Sequence, residues 1–331
     1  MTVVTIEEHW IAKDFASFFP RPGQPGHDTP IELLADVGES RIAEMDKGGI
    51  DLQVLGHCII PTTAPLIAFQ STNDKAAGVC RKYPTRFAAF AILPVANAAD
   101  AAAELERTVT NYGFKGAMIN GTTDGQFLDH PRFEPLLDKA EKLGVPLYLH
   151  PGYPIPAIND AYYKGEFSDH IGRVLASTVG GWHWEVALHA LRMIVSGVFD
   201  RHPNLQIVIG HLGETIPFFW ERLQYFLEPR AKGFDLPGGK DSSVVPNAKK
   251  LERPVCEYFF RNVYVTTSGF TTNPPFELAL KVFGADRMIF SVDYPFSPIE
   301  PAMRFLRNLP VSEEVRAKIS SGNASKLLNL N

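Results

Sequence analysis

The residues best suited to chemistry in this chain are imidazoles and carboxylates that close short apolar runs. They are Glu7 and His9 in VVTIEEH, His150 in VPLYLH, His211 in QIVIGH and Asp293 in MIFSVD. They lie too far apart for a local metal motif of the HExxH kind, and what groups them is a shared place at the end of a β-branched run. Alternate residues of a strand share a face, so Glu7 and His9 point one way while Glu8 points the other. Imidazoles and carboxylates converging in this way, two of each, make an ordinary ligand set for Zn²⁺ or Mn²⁺, with positions left for water or substrate. An uncompensated carboxylate buried at a strand end is costly, and a cation removes that cost.

The elements that must carry these residues are short strands alternating with longer amphipathic segments. Eight runs read as strands, at residues 3–7, 52–57, 87–93, 116–120, 146–150, 206–211, 263–267 and 288–293. Several are almost wholly apolar, as expected where helices cover one face and a packed interior the other. Helix ends are marked at Gly48-Gly49, Gly113, Gly144 and Gly284, with Ser40 expected as an N-cap. The pattern predicts an α/β fold, a (β/α)₈ barrel with extra loop insertions forming one domain over 1–331; an open doubly wound sheet is the alternative. In a barrel, strand C-termini meet at one mouth, which is where active sites sit. The insertions are expected at 11–39 and 229–254, and part of 153–171 has the character of a lid.

Composition excludes several classes of function. The chain has 331 residues, 45% hydrophobic and 21% charged, with a net charge of −5, which gives no electrostatic reason to expect nucleic acid or anionic lipid. Cys58, Cys80 and Cys256 are isolated, so neither a disulfide framework nor a thiolate zinc site is indicated. No signal sequence and no apolar run of membrane-spanning length is read. The expectation is a cytoplasmic enzyme.

The strings YLHP around His150, GHLGE from His211 to Glu214, TTSG at 266–269 and FSVDYPF around Asp293 resemble the amidohydrolase superfamily. Within it they are similar to the non-oxidative decarboxylases of aminocarboxymuconate semialdehyde and ortho-hydroxybenzoates. The γ-resorcylate decarboxylases come nearest, with their EEH start and an NG dipeptide like Asn120-Gly121. The resemblance runs from that start to GNASKLLNL at the C-terminus. It implies one divalent metal on Glu7, His9, His150 and Asp293, with Asp293 delivering a proton to the ring carbon and His211 with Glu214 as a catalytic pair. It also implies a small aromatic acid as substrate and a homodimer or homotetramer. Where the superfamily more often begins His-x-His, this chain has Glu7-x-His9. Asn120 stands where a carbamylated lysine would support a second metal, so a mononuclear site is expected. Tyr225-Phe226 stands where the resorcylate enzymes carry His and Arg.

Other readings of the same residues stay open at this level. The ligand set equally suits a hydrolase of a lactone or ester-like bond, in which the metal acidifies water, Asp293 takes its proton and His211 polarises the carbonyl. Glu214 could cap a helix starting after Gly213. His57 reads as structural. Asn120, Trp182, His183, Trp184 and Phe296 are candidate substrate-lining residues, although the Trp182-His183-Trp184 run suits a subunit interface equally well.

Overall fold

The computed structural model describes residues 1–18, 30–58, 61, 63–231 and 251–330. Residues 19–29 of the first expected insertion and 232–250 of the second lie outside the described residues. Eight parallel strands are formed: β1 (Val4–Trp10), β2 (Leu52–His57), β3 (Phe87–Ala89), β4 (Ala117–Asn120), β5 (Leu147–His150), β6 (Ile207–Ile209), β7 (Val263–Thr266) and β8 (Met288–Ile289). They pair in chain order as two arcs, β1–β3 and β4–β8. Parallel bridges Ala91↔Ala117 and Glu8↔Tyr294 join the arcs at both ends. The sheet therefore closes into a (β/α)₈ barrel, and the open doubly wound alternative is excluded.

The closing seam is made largely by side chains, because β8 is only two residues long. Ser291 Oγ accepts from the backbone N–H of Ile6 and Glu7, and Glu8 Oε1 accepts from Val292 N–H at 3.0 Å. His9 N–H then donates to Tyr294 O and Asp293 N–H to Glu7 O. Two of the expected ligands are thus tied to one another through main chain before any cation is considered.

Two layers of apolar side chains make the core. Val4, Ile6, Val54, Phe90, Met118, Tyr148, Val208, Tyr264 and Ile289 fill the barrel interior, one or more from each strand or the segment that prolongs it. The floor is plugged by Leu327 and Leu328 of the C-terminal helix Asn323–Leu328. Asn323 fixes that helix by donating to the carbonyls of Ala285 and Met288. The opposite strand faces pack against the surrounding helices.

Element identity follows the sequence closely, while some ends do not. The helices Glu39–Gly48, Ala98–Tyr112 and Glu134–Leu143 stop at left-handed Gly49, Gly113 and Gly144 as expected. Ser40 is not an N-cap: Gly38 holds that place. Strands expected to run to 93, 211 and 293 end at Ala89, Ile209 and Ile289. For the strand that ends at Ile209 the reason is backbone curvature. His211 and Leu212 have positive φ, which takes the chain out of extended conformation as it reaches the mouth. Among the described residues, no helix is long and apolar enough to cross a membrane.

Candidate metal centre and its neighbouring triad

Two side-chain groups at the mouth each bring three ligating atoms together: Glu7, His9 and His150, and His183, His211 and Glu214. The first group also meets Asp293. His9 Nε2 lies 3.1 Å from Asp293 Oδ1, His150 Nε2 lies 4.0 Å from Glu7 Oε1, and the His9 and His150 rings meet edge-on at 4.8 Å. Glu7 and His9 are fully buried. Glu8 takes the opposite face, as alternation predicts, where Gln53 Nε2 donates to its Oε2 at 3.1 Å.

Glu7 is held from below. Its Oε2 accepts from Tyr148 and, at 2.9 Å, from Thr266 Oγ1, both buried in the barrel interior. Its Oε1 is buried and accepts no hydrogen bond. Leaving such an atom unsatisfied costs about 1–3 kcal/mol, a sizeable part of ordinary folding stability of roughly 5–15 kcal/mol. Gly210 leaves room for this carboxylate, since a Cβ there would meet Glu7 Oε2 at 3.0 Å and Glu214 Oε1 at 3.3 Å.

The electrostatics fit a cation. Burial, reinforced by the His9 charge, pushes His150 down to about 3, so its ring is neutral, the form that ligates a metal. Burial acts to lower His9 as well, but the Asp293 carboxylate outweighs it and holds His9 well above its usual value. Asp293 is correspondingly held below the usual carboxylate range: burial raises it, and the His211 and His9 imidazoles on either side overcome that. Here a proton on His9 does the charge balancing that a divalent ion can do. The donor set, the orphaned Glu7 Oε1 and the neutral His150 together fit one such ion.

The second group is organised differently. Glu214 uses both oxygens, with His211 Nδ1 2.9 Å from Oε1 and His183 Nδ1 2.5 Å from Oε2. His183 Nε2 faces the Thr178 carbonyl at 2.9 Å. Burial raises the Glu214 carboxyl, but the two imidazoles prevail and lower it. His211 Nε2 reaches toward Asp293 Oδ2 at 3.9 Å. This geometry depends on a tight left-handed turn, with φ of 50°, 59°, 85° and 59° at His211, Leu212, Gly213 and Glu214. Three of these are not glycine, at about 1–2 kcal/mol each, a concentration of strain typical of functional sites. Gly213 is required, because a Cβ there would enter the Phe283 ring at 2.3 Å. Glu214 precedes the helix Ile216–Ala231 rather than lying in its first turn, so helix capping does not account for it.

The remaining expected site residues divide. Asn120 sits opposite His150 in the β4–β5 register with its Oδ1 buried and unpartnered, and Phe296 stacks 5.4 Å from the His9 ring. Trp182 has a buried, unpartnered Nε1 and packs on Tyr153. His183 has both nitrogens engaged, Nδ1 by Glu214 and Nε2 by the Thr178 carbonyl, rather than free for a ligand. Trp184 is half exposed against Phe219 at the surface. His57 is a satisfied core histidine, accepting from Ala12 N–H at 2.9 Å. Sequence reasoning missed Tyr148, although it precedes His150 by one strand period. It also missed Glu185, whose Oε1 lies 3.3 Å from Gly152 N and which no motif marks.

A metal-fitting cluster at the mouth of a closed barrel defines a class, and sequence comparison agrees with it. The amidohydrolase family profile matches residues 63–239 and 256–330, and the chain belongs to that family. It is 33% identical to the gamma-resorcylate decarboxylase of a Rhizobium species over 345 residues, covering 99% of this chain and 98% of the relative. The enzyme of the same name from Rhodococcus jostii is 35% identical over 348 residues, again covering 99% and 98%. The solved structure of a dihydroxybenzoic acid decarboxylase from Polaromonas, with bound manganese and the inhibitor 2-nitroresorcinol, superposes with a TM-score of 0.83. It is 31% identical and the match covers 100% of this chain and 97% of that one.

Proposed function

We infer that this protein is a metal-dependent carboxy-lyase that removes the carboxylate of an ortho-hydroxybenzoate-type aromatic acid without oxidation. The observation that carries the reading is the buried Glu7–His9–His150–Asp293 cluster with its orphaned carboxylate oxygen, in a chain related end to end to enzymes named for that reaction. Those names favour the lyase over a lactone hydrolase built from the same groups. Glu7, His9, His150 and Asp293 are assigned to one divalent ion, Mn²⁺ or Zn²⁺. When bound, the ion supplies Lewis acidity that stabilises a phenolate oxygen and fixes the neighbouring carboxylate.

The chain's own residues do the rest. Asn120, opposite His150, and Phe296, beside His9, are assigned as polar contact and apolar wall for the ring, with Trp182 as a further candidate wall. Protonation of the carboxylate-bearing carbon makes departure of CO₂ possible, because the electrons of the breaking C–C bond then restore the aromatic ring. Asp293 is assigned to give that proton, and His211 to return one to it. Tyr225-Phe226 lies on the helix Ile216–Ala231 with Tyr225 exposed.

Residues 1–331 are taken as one barrel domain. A homodimer or homotetramer is inferred, supported by the exposed, contiguous Trp184, Phe218 and Phe219. Placement in the cytoplasm is inferred from the sequence, in which Cys58, Cys80 and Cys256 are widely separated and form no CxxC pair. The test is a panel of hydroxybenzoates and lactones with Mn²⁺ or Zn²⁺ added. CO₂ or bicarbonate release from a hydroxybenzoate is the expected result. Acid release from lactones without gas overturns the reading.

A further inference from the structure

Each turnover of the reaction proposed above consumes one proton, since an aryl carboxylate plus H⁺ becomes an arene plus CO₂. That proton must come from solvent, and in the free protein Asp293 and His211 are 17% and 13% exposed, an access that a ring bound at the mouth beside them would reduce. Glu214 gives no direct route, because its side chain is fully buried, whereas the His183 side chain is 17% exposed. His183 also has an unusual set of partners. Its Nε2 faces a carbonyl oxygen, which only accepts, and its Nδ1 faces a carboxylate oxygen at 2.5 Å. A neutral imidazole has one N–H and cannot donate at both ends. Both contacts are made only if the ring carries two protons or shares one with Glu214. Phe270 lies edge-on to both His183 and His211, at 6.1 and 6.3 Å, so the two rings share an apolar flank that favours transfer through Glu214.

We propose that His183 is the solvent-side member of a three-group proton conduit, His183–Glu214–His211, that resupplies the proton given to the ring. His183 releases its Nδ1 proton to Glu214 Oε2. The carboxyl O–H then turns from Oε2 to Oε1 and gives its proton to the bare Nδ1 of His211, while His211 passes its Nε2 proton toward Asp293 Oδ2 once the 3.9 Å gap closes. The His211 ring returns to its Nε2–H tautomer before the next turnover. His183 recovers its proton from solvent, so charge and protons balance over the cycle. His183 touches no reacting atom and is a positioning and relay residue. The proposal rests on the decarboxylase reading for its purpose, but its geometry is independent of substrate.

The test compares His183→Ala and His183→Gln with wild type, using whichever hydroxybenzoate the panel identifies. For His183→Ala a fall in kcat of roughly 10–100-fold is expected, below the upper range for a group acting directly in proton transfer. KM and bound-metal stoichiometry should stay within about twofold, the small change expected when a group is not used in binding. Added imidazole should restore much of the rate in His183→Ala and little in His183→Gln, where the cavity is filled. A failure of imidazole to raise kcat in folded, metal-loaded His183→Ala overturns the proposal. So does a second equivalent of metal in wild type that the variant lacks, because His183, His211 and Glu214 would then be ligands. If neither variant folds, ¹⁵N-histidine NMR of the wild-type protein decides. Two protonated ring nitrogens, or one proton shared with Glu214, supports the conduit, and a bare nitrogen overturns it. A wild-type protein that releases no CO₂ from any acid in the panel removes the decarboxylase reading and leaves this NMR measurement intact.

Discussion

The two polar groups at the barrel mouth use the same residue types to opposite ends. The Glu7–His9–His150–Asp293 group is left incomplete by the protein, with a buried carboxylate oxygen lacking any partner. In the His183–Glu214–His211 group both Glu214 oxygens and both His183 nitrogens have partners within hydrogen-bonding distance. An incomplete set of converging donors is what a cation requires, and a complete one is what proton handling requires. Type and proximity alone do not separate metal ligands from a relay; satisfaction of hydrogen-bonding capacity does.

The largest expected effect falls on the residue that joins the two groups. Asp293 faces His9 on one side and His211 on the other, so Asp293→Asn should lower kcat by roughly 10²–10⁴-fold. Turnover assays check this, and full activity would sink the proposed site. The comparison itself is broken or kept by a crossed pair. His150→Asn should lose metal by elemental analysis, whereas His211→Asn should retain metal and lose rate by roughly 10²-fold. Equal metal loss in both would mean that the two groups are one ligand set. Tyr148→Phe comes next. Removing the hydroxyl beneath Glu7 should weaken metal affinity by roughly 10–100-fold, the usual cost of deleting a group that orients a ligand, as read by chelator competition.

The barrel and the first group were legible in the sequence for a simple reason. A strand that ends in a charged or imidazole side chain after four or five apolar residues has few places to put it except the mouth. His150 follows that rule, Glu7 and His9 lie inside a first strand that runs on to Trp10, and Asp293 follows it on a strand that ends four residues early. The internal wiring of the second group was not legible. Glu214 was within reach because it sits three residues from His211, but His183 comes from the helix Gly181–Val195, between two tryptophans that drew attention to packing. Its engagement depends on the left-handed turn at 211–214, and nothing in the local residue types besides Gly213 announces three further positive φ values. Trp184, expected to line the site, follows the helical period to the surface instead. Short-range alternation is written in sequence, whereas contacts created by a strained turn are written only in the fold.

The smallest effect concerns Glu185, which ties the helix carrying His183 to the loop after His150 through Gly152. Burial, only partly offset by that N–H, pushes its carboxyl up from 4.5 to about 7. The folded state therefore holds a proton that the unfolded chain has already released between those values. The stability this group contributes is fully present below about pH 4.5 and is lost as pH rises through about 7. Glu185→Gln cannot ionise and keeps an amide oxygen to accept from Gly152. Its stability should match wild type near pH 4 and exceed it by about 1–3 kcal/mol above pH 7, by the linkage between pKa and folding. Thermal or urea melts across this range check it. A parallel pH dependence in both proteins would mean that Glu185 is ionised in the fold. The link would then be a carboxylate accepting from the Gly152 N–H.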